Sequence, residues 1–185
     1  MPGVEGVGIV EAVDPGSRFA PGDRDTGFMH SGGTLADYFL VGDHNAWPVP
    51  DHVSDADAAA LSVTYGTSYF ALVHRAHLQT GATLLVLGGA GGVGTAAIQL
   101  DRVLGARVIG CASDDRKLEI CRRAGAQETI NYKTEDLVER VKALTGGRGA
   151  DVVYDPVGGD AFSPPPPYGW CGSPETPAPA TRARE

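Results

Sequence analysis

Six consecutive residues carry the clearest chemistry in this chain: Gly89-Ala90-Gly91-Gly92-Val93-Gly94, a GxGxxG string. Glycines at this spacing let backbone, rather than side chains, hold an anion. Gly89 is expected to make the tight turn. Gly91 lets the main chain approach a pyrophosphate, and Gly94 lets the following helix pack closely on the preceding strand. The unpaired amides at the start of that helix, together with its dipole, favour the anion. Such a site takes a dinucleotide, and the choice between NAD and NADP falls at the end of the second strand. An acidic side chain there would bond the ribose hydroxyl and repel a 2′-phosphate. That position is close to Ala112, which is not acidic. Asp114 and Asp115 follow and suit N-capping of the next helix. The alternative, in which Asp114 reaches the ribose and selects NAD, stays open at this point.

Other reactive side chains do not assemble into a pattern. No Ser-His-Asp, Cys-His or paired-carboxylate constellation stands out as an acid–base centre. His30, His44, His52, His74 and His77 read as surface or loop residues. His74 and His77 lie three apart on one expected helix, but no carboxylate or thiol completes a metal set. Cys111, Cys121 and Cys171 form neither a CxxC pair nor a disulfide framework and read as reduced intracellular thiols. Tyr38 reads as core or turn packing.

A GxGxxG string has meaning only between a strand and a helix, so the surrounding elements decide its value. Thr83 to Leu87 is an apolar run ending in glycines, and Thr95 to Leu104 has helical periodicity with Gly105 as its stop. Next come a strand at Ala106 to Cys111, a helix at Asp115 to Arg123 before Gly125, a strand at Glu128 to Asn131, a helix at Glu135 to Leu144, and a strand at Asp151 to Tyr154. Alternating apolar strands and helices imply an α/β fold whose parallel sheet is covered on both faces. Before this, from Gly3 to about Val53, short apolar runs at Val7–Val13, Leu35–Val41 and Ala46–Val49 are separated by Pro-Gly and Gly-Gly turns, which predicts a β-rich module. From Ser54 the period becomes helical, with Ser54 or Asp55 as N-cap, and continues to His77. The domains expected are therefore 1–53, 54–162 and a tail, 163–185. That tail holds seven of the 13 prolines and no Leu, Ile or Val, so it is expected to be disordered.

Composition narrows the function classes. The 185 residues are 42% hydrophobic and 21% charged, ordinary for a soluble globular protein. No apolar stretch approaches the roughly 20 residues of a membrane-spanning helix, and no secretory signal opens the chain, so the expected compartment is the cytoplasm. A net charge of −8 argues against nucleic acid or an anionic membrane as partner.

These motifs together resemble the medium-chain dehydrogenase/reductase superfamily, and within it the zinc-independent, zeta-crystallin-like quinone oxidoreductases. The resemblance runs from about Pro2 to Phe162. Gly91-Gly92-Val93-Gly94 followed by Gln99 and Arg102 is similar to that group's signature. Pro2-Gly3-Val4-Glu5-Gly6-Val7-Gly8 and Pro21-Gly22-Asp23-Arg24 resemble landmarks of its GroES-like domain, and Ala60 to Thr67 resembles the crossing into the cofactor domain. The fold implied is a Rossmann-type parallel sheet, incomplete, preceded by part of a β-rich GroES-like domain. The family's fold begins before Pro2 and continues well beyond Phe162, so the resemblance implies a chain truncated at both ends, with the change of composition after Phe162 expected from a frameshift or misread gene.

The resemblance implies NADPH as cofactor. Its 2′-phosphate would meet Lys117 and Tyr132, with Ser113 as an additional contact, and Thr67 would lie near the nicotinamide. The cofactor-binding residues expected are thus Thr67, Gly89, Gly91, Gly92, Val93, Gly94, Ser113, Lys117 and Tyr132. Zinc-dependent relatives place a ligand His where this chain has Val4 and a ligand Cys near Val63, so no metal is expected. The activity implied is hydride transfer to a quinone or similar electron-poor acceptor, with a homodimer for the full-length family. Alternatives are an enoyl or alkenal reductase of the same superfamily and a non-catalytic NADPH-binding protein.

Overall fold

The computed structural model describes residues 1–158, which divide into two units, Met1–Gly66 and the chain from Thr67 onward, each built on its own sheet. In the first unit, β1 (Glu5–Ile9), β2 (Arg24–Phe28) and β3 (Ala46–Pro48) form an antiparallel sheet in the order β1-β2-β3. Two short helices are bonded to it. Ser54 caps α1 (Asp55–Ala59) by accepting the Asp57 amide. The Arg24 guanidinium on β2 donates to the Asp55 carboxylate (Nε···Oδ1 2.8 Å) and to the Val53 carbonyl (2.7 Å). The Glu5 carboxylate on β1 accepts from the Ser62 hydroxyl (2.9 Å) and the Val63 amide (2.8 Å), the first turn of α2 (Ser62–Tyr69). These bonds explain why the compact units divide at Gly66 and Thr67, whereas the change of sequence period lies at Ser54.

Two expectations for this region are corrected. Leu35–Val41 forms no strand: only Phe39 and Val41 turn inward, against Gly6 and Gly27, while Tyr38 is 75% and Leu40 88% exposed. Tyr38 therefore does not pack in a core. The helical pattern from Ser54 to His77 is broken at Ala60 and Leu61, restarts as α2, and widens into a π-helical turn over Phe70–Arg75. There the Ala76 amide reaches back to the Ala71 carbonyl (2.9 Å). His77 lies past this turn with φ 49°, so His74 and His77 do not share a helix. His74 instead packs its ring against Tyr69 and Phe70.

The second unit is a four-stranded parallel sheet in the order β6-β5-β4-β7, formed by β4 (Thr83–Val86), β5 (Arg107–Ala112), β6 (Glu128–Asn131) and β7 (Val152–Tyr154). Strand side chains alternate between faces, and both faces here are apolar. Leu84, Val86 and Val108 pack under α3 (Gly92–Leu104) and α4 (Asp115–Ala124) with Ile98, Leu118 and Cys121. Leu85, Ile109, Cys111 and Ile130 turn to the opposite face, beside Val141 of α5 (Leu137–Leu144). Cys111 and Cys121 are thus buried on opposite sides of the sheet, and burial pushes both thiols up. Cys171, the tail and the rest of the run to Phe162 lie outside the described residues.

The helix ends follow local chemistry. Gly105 and Gly125 stop α3 and α4 at φ 76° and 122°, a region that favours glycine. The start of α5 falls two residues later than Glu135, because the Glu135 carboxylate accepts the Asn131 amide (2.8 Å) and Asp136 takes the N-cap, accepting from Glu139. Among the described residues, no helix is long and apolar enough to cross a membrane.

Candidate dinucleotide site

The loop between β4 and α3 is a tight turn closed by the Gly91 amide on the Gly88 carbonyl (2.9 Å). The left-handed residue is Gly88, with φ 62°, not Gly89. Gly89 serves packing instead: a Cβ there would lie 2.9 Å from Cys121 Sγ and 3.2 Å from Ile98 Cδ1, and its amide donates to the Cys111 carbonyl (2.9 Å). At Gly94 a Cβ would fall 2.4 Å from the Gly88 carbonyl oxygen, so any side chain would push the helix off the turn. Gly91 differs from both, since a Cβ there meets nothing closer than 3.4 Å, and Gly91 and Gly92 face solvent. The Gly91 carbonyl accepts the Thr95 amide (2.8 Å), which leaves the amides of Gly92, Val93 and Gly94 ahead of the first intrahelical bond. An open backbone face and a helix N-terminus fit a phosphate.

The next two strand ends stand beside this loop. Asp114 caps α4 by accepting the Lys117 amide (3.0 Å) through Oδ1, while Oδ2 accepts the Ser113 hydroxyl (3.0 Å). The Lys117 ammonium donates to Ser113 Oγ (3.0 Å) and lies 3.6 Å from Asp114 Oδ2. The Lys117 amide, then the Ser113 hydroxyl and the lysine charge, hold the Asp114 carboxyl below the usual carboxylate range. Both Asp114 oxygens are thus occupied locally, as capping predicts. Past β6, the Tyr132 amide donates to the Ala112 carbonyl (3.2 Å), and the ring is 40% exposed. Ser113 and Lys117 therefore stand past the carboxyl end of β5, and Tyr132 follows the carboxyl end of the neighbouring β6 with its amide bonded to Ala112, the residue before Ser113.

On the other side of β4, the loop after β7 closes on itself: Asp155 Oδ1 accepts the Val157 and Gly158 amides (2.9 and 2.8 Å). A Cβ on Gly88 would lie 2.7 Å from Val157 Cγ2, so the loops after β4 and β7 touch. Thr67 lies half-buried on α2, next to Ser68, whose hydroxyl donates to the Val93 carbonyl (2.9 Å). Gly88, Ser68 and Tyr154 are structural members of this region that sequence reasoning missed. The Gly88-Gly89 pair was a usable signal for the first; nothing in the sequence joins Ser68 to Tyr154, which is 86 residues away.

Residues 92–164 match a family model described as zinc-binding dehydrogenase. Across 166 residues the chain is 42% identical to a quinone oxidoreductase-like protein 2 homolog of Nematostella vectensis, covering 88% of this chain and 45% of that one. The Escherichia coli quinone oxidoreductase, solved in complex with NADPH, superimposes with a TM-score of 0.79 at 35% identity, covering 87% of this chain and 50% of the other. The CurK enoyl reductase matches with the same TM-score at 30% identity over 86% of this chain and 48% of the other. The chain belongs to the medium-chain dehydrogenase/reductase superfamily. Its parallel sheet is the Rossmann-type sheet of these oxidoreductases, and its antiparallel sheet agrees with their GroES-like part. The chain spans about half the length of the proteins it matches.

Val4 precedes Glu5, and the Glu5 carboxylate is engaged by Ser62 and Val63. Among the described residues no group of three His, Cys, Asp or Glu side chains is placed to hold a metal ion.

Proposed function

We propose that the chain binds NADPH across the carboxyl ends of β4, β5 and β6, and that the protein it represents passes hydride, without zinc, to a quinone or a similar electron-poor acceptor. One observation carries the reading: three adjacent parallel strands deliver an open glycine loop, a Ser113–Lys117 pair and Tyr132 to one sheet edge. In open α/β sheets this edge, at the point where strand order reverses, is where ligands bind. The order β6-β5-β4-β7 reverses between β4 and β7.

The chain's own residues account for binding and orientation. Gly91 and Gly92 leave room for the pyrophosphate, and the free amides of the first turn of α3 donate to it. Lys117 supplies a point charge and Tyr132 a hydroxyl to a 2′-phosphate, with Ser113 as a further donor. Asp114 Oδ1 caps α4 and Oδ2 accepts the Ser113 hydroxyl, so the groups beside it that suit a 2′-phosphate are Lys117 and Ser113, which supports NADPH over NADH. Thr67, one residue from the Ser68–Val93 bond, would meet the nicotinamide half. When bound, the nicotinamide supplies the two electrons as hydride, and the protein positions it and shields it from water. A second reading, reduction of an activated alkene, draws support from the likeness to an enoyl reductase, which has the same TM-score at lower identity.

The test is thermal unfolding of the 185-residue chain with NADPH and, separately, NADH, since a ligand that binds only the folded state raises stability by about 2.7 kcal/mol at a hundred times its Kd. A larger rise with NADPH is expected, and Lys117→Ala should reduce it about tenfold in apparent affinity while leaving NADH unchanged, the usual size for a hydrogen bond to a charged group. Equal shifts with both nucleotides would overturn the NADPH assignment. Quinone- and enone-dependent NADPH oxidation by a full-length relative carrying these residues separates the two acceptor readings.

A further inference from the structure

A buried chain of hydroxyls crosses the point where the strand order reverses. Ser68 on α2 is fully buried, and its hydroxyl donates to the Val93 carbonyl in the first turn of α3 (2.9 Å). Tyr154, at the end of β7 and also buried, has its hydroxyl 3.2 Å from the same Ser68 oxygen. A serine hydroxyl has a single proton. Because that proton is committed to Val93, the second bond is donated by Tyr154, and the chain runs in one direction, Tyr154 to Ser68 to the Val93 carbonyl. Tyr154 is in register with Val86, the last residue of β4 before the glycine loop. Three parts of the second unit, β7, the last turn of α2 and the start of α3, are therefore linked by two hydrogen bonds at the level of the loop.

The location separates this chain from the groups that would hold adenosine. Ser113, Lys117 and Tyr132 lie on the β5 and β6 side of the loop, whereas Ser68 and Tyr154 lie on the β7 side. A dinucleotide with its pyrophosphate on the loop extends to both sides, and its second half must go toward β7. We propose that Ser68 and Tyr154 are positioning residues for the nicotinamide half of the cofactor: by tying the first turn of α3 to α2 and β7, they set where Thr67 and the β7 loop meet that half. The inference rests on the dinucleotide reading above and adds residues that no motif of this chain marks.

The experiment titrates the unsubstituted chain, Ser68→Ala, Tyr154→Phe and the double variant with two probes, NADPH and adenosine 2′,5′-bisphosphate, the second carrying only the adenosine half. Ser68→Ala is expected to weaken NADPH binding about three- to tenfold, the worth of one neutral hydrogen bond, with adenosine 2′,5′-bisphosphate unchanged and the fluorescence of bound NADPH altered. Tyr154→Phe keeps the ring and removes only the donor, so it should give a smaller selective loss and carries the test if Ser68→Ala does not fold. The double variant should be no weaker than Ser68→Ala alone, because the hydroxyls act as one chain. Equal weakening of both probes, or no effect on either, would overturn the positioning role while leaving the dinucleotide reading intact. Failure of the unsubstituted chain to bind either probe would overturn both.

Discussion

The two sheets of this protein put similar apolar residues to different use. In the parallel unit, Leu84 and Val86 face one layer of helices and Leu85 and Ile109 the other, and all four are fully buried. In the antiparallel unit, Ile9, Leu35 and Leu40 are exposed, and polar bonds donated by Arg24 and Thr26 and accepted by Glu5 tie the strands to α1 and α2. Thr26 on β2, for example, donates to the Ala58 carbonyl of α1 (2.9 Å). A parallel strand needs a crossover helix, and each helix brings its own apolar face. The antiparallel strands are joined instead by segments without strand or α-helix, 10–23 and 29–45, with only the short α1 and the start of α2 bonded to them. The glycine loop therefore sits on the part of the molecule where burial is complete, which is where a phosphate-binding backbone has to be held still.

The largest test of this contrast is Gly94→Val. With a Cβ due 2.4 Å from the Gly88 oxygen, the helix must leave the turn. The cost expected is about 3 kcal/mol, at the upper end for overpacking, together with loss of the NADPH-induced rise in melting temperature. Calorimetry with and without nucleotide measures both, and a variant that keeps the nucleotide response would break the assigned role of the loop. A paired truncation sharpens the comparison: Leu85→Ala should cost about 2–5 kcal/mol through transfer and cavity terms, while Leu40→Ala, 88% exposed, should stay within about 0.5 kcal/mol. Urea unfolding of the two variants decides it, and comparable losses would contradict the packing described.

The smallest effect concerns Asp101 of α3, a carboxyl buried against the sheet. Burial pushes its pKa up, opposed by hydrogen bonds from the Ala106 amide and the Gln127 side chain. With the folded pKa above the unfolded one, the stability this group contributes is full below the unfolded carboxylate range near 4 and is lost as pH rises through the folded value. Asp101→Asn should therefore raise stability at neutral pH and flatten its fall between acid and neutral pH. Melting temperatures across that window test the sign, and a drop at neutral pH on substitution would reverse it.

How much could be read without coordinates differs by residue. Val86, the glycines after it and Gly105 are local signals, because a strand, a turn and a helix stop each depend on a few neighbours. The same holds for Asp114 as a cap, whose acceptor role needs only the amide three residues on. Leu35–Val41 looked equally like a strand, but a strand requires a partner with free hydrogen-bonding groups, and pairing is not a local property. Gly89 was assigned the turn that Gly88 makes, since both satisfy the motif and only the backbone angles distinguish them.

What this chain's sequence determined by itself was the alternation of apolar strands and capped helices, the glycine loop between the first such pair, and the resemblance that its motifs carry. Each is written in neighbouring residues, where sterics, capping and periodicity act. The tertiary structure alone decided the meeting of Ser68 and Tyr154 at the first turn of α3, and it carries to one end of the sheet the Ser113, Lys117 and Tyr132 positions that the resemblance had already grouped. Those meetings join residues far apart in the chain, and they exist only because burying both faces of a parallel sheet forces its crossovers to one order.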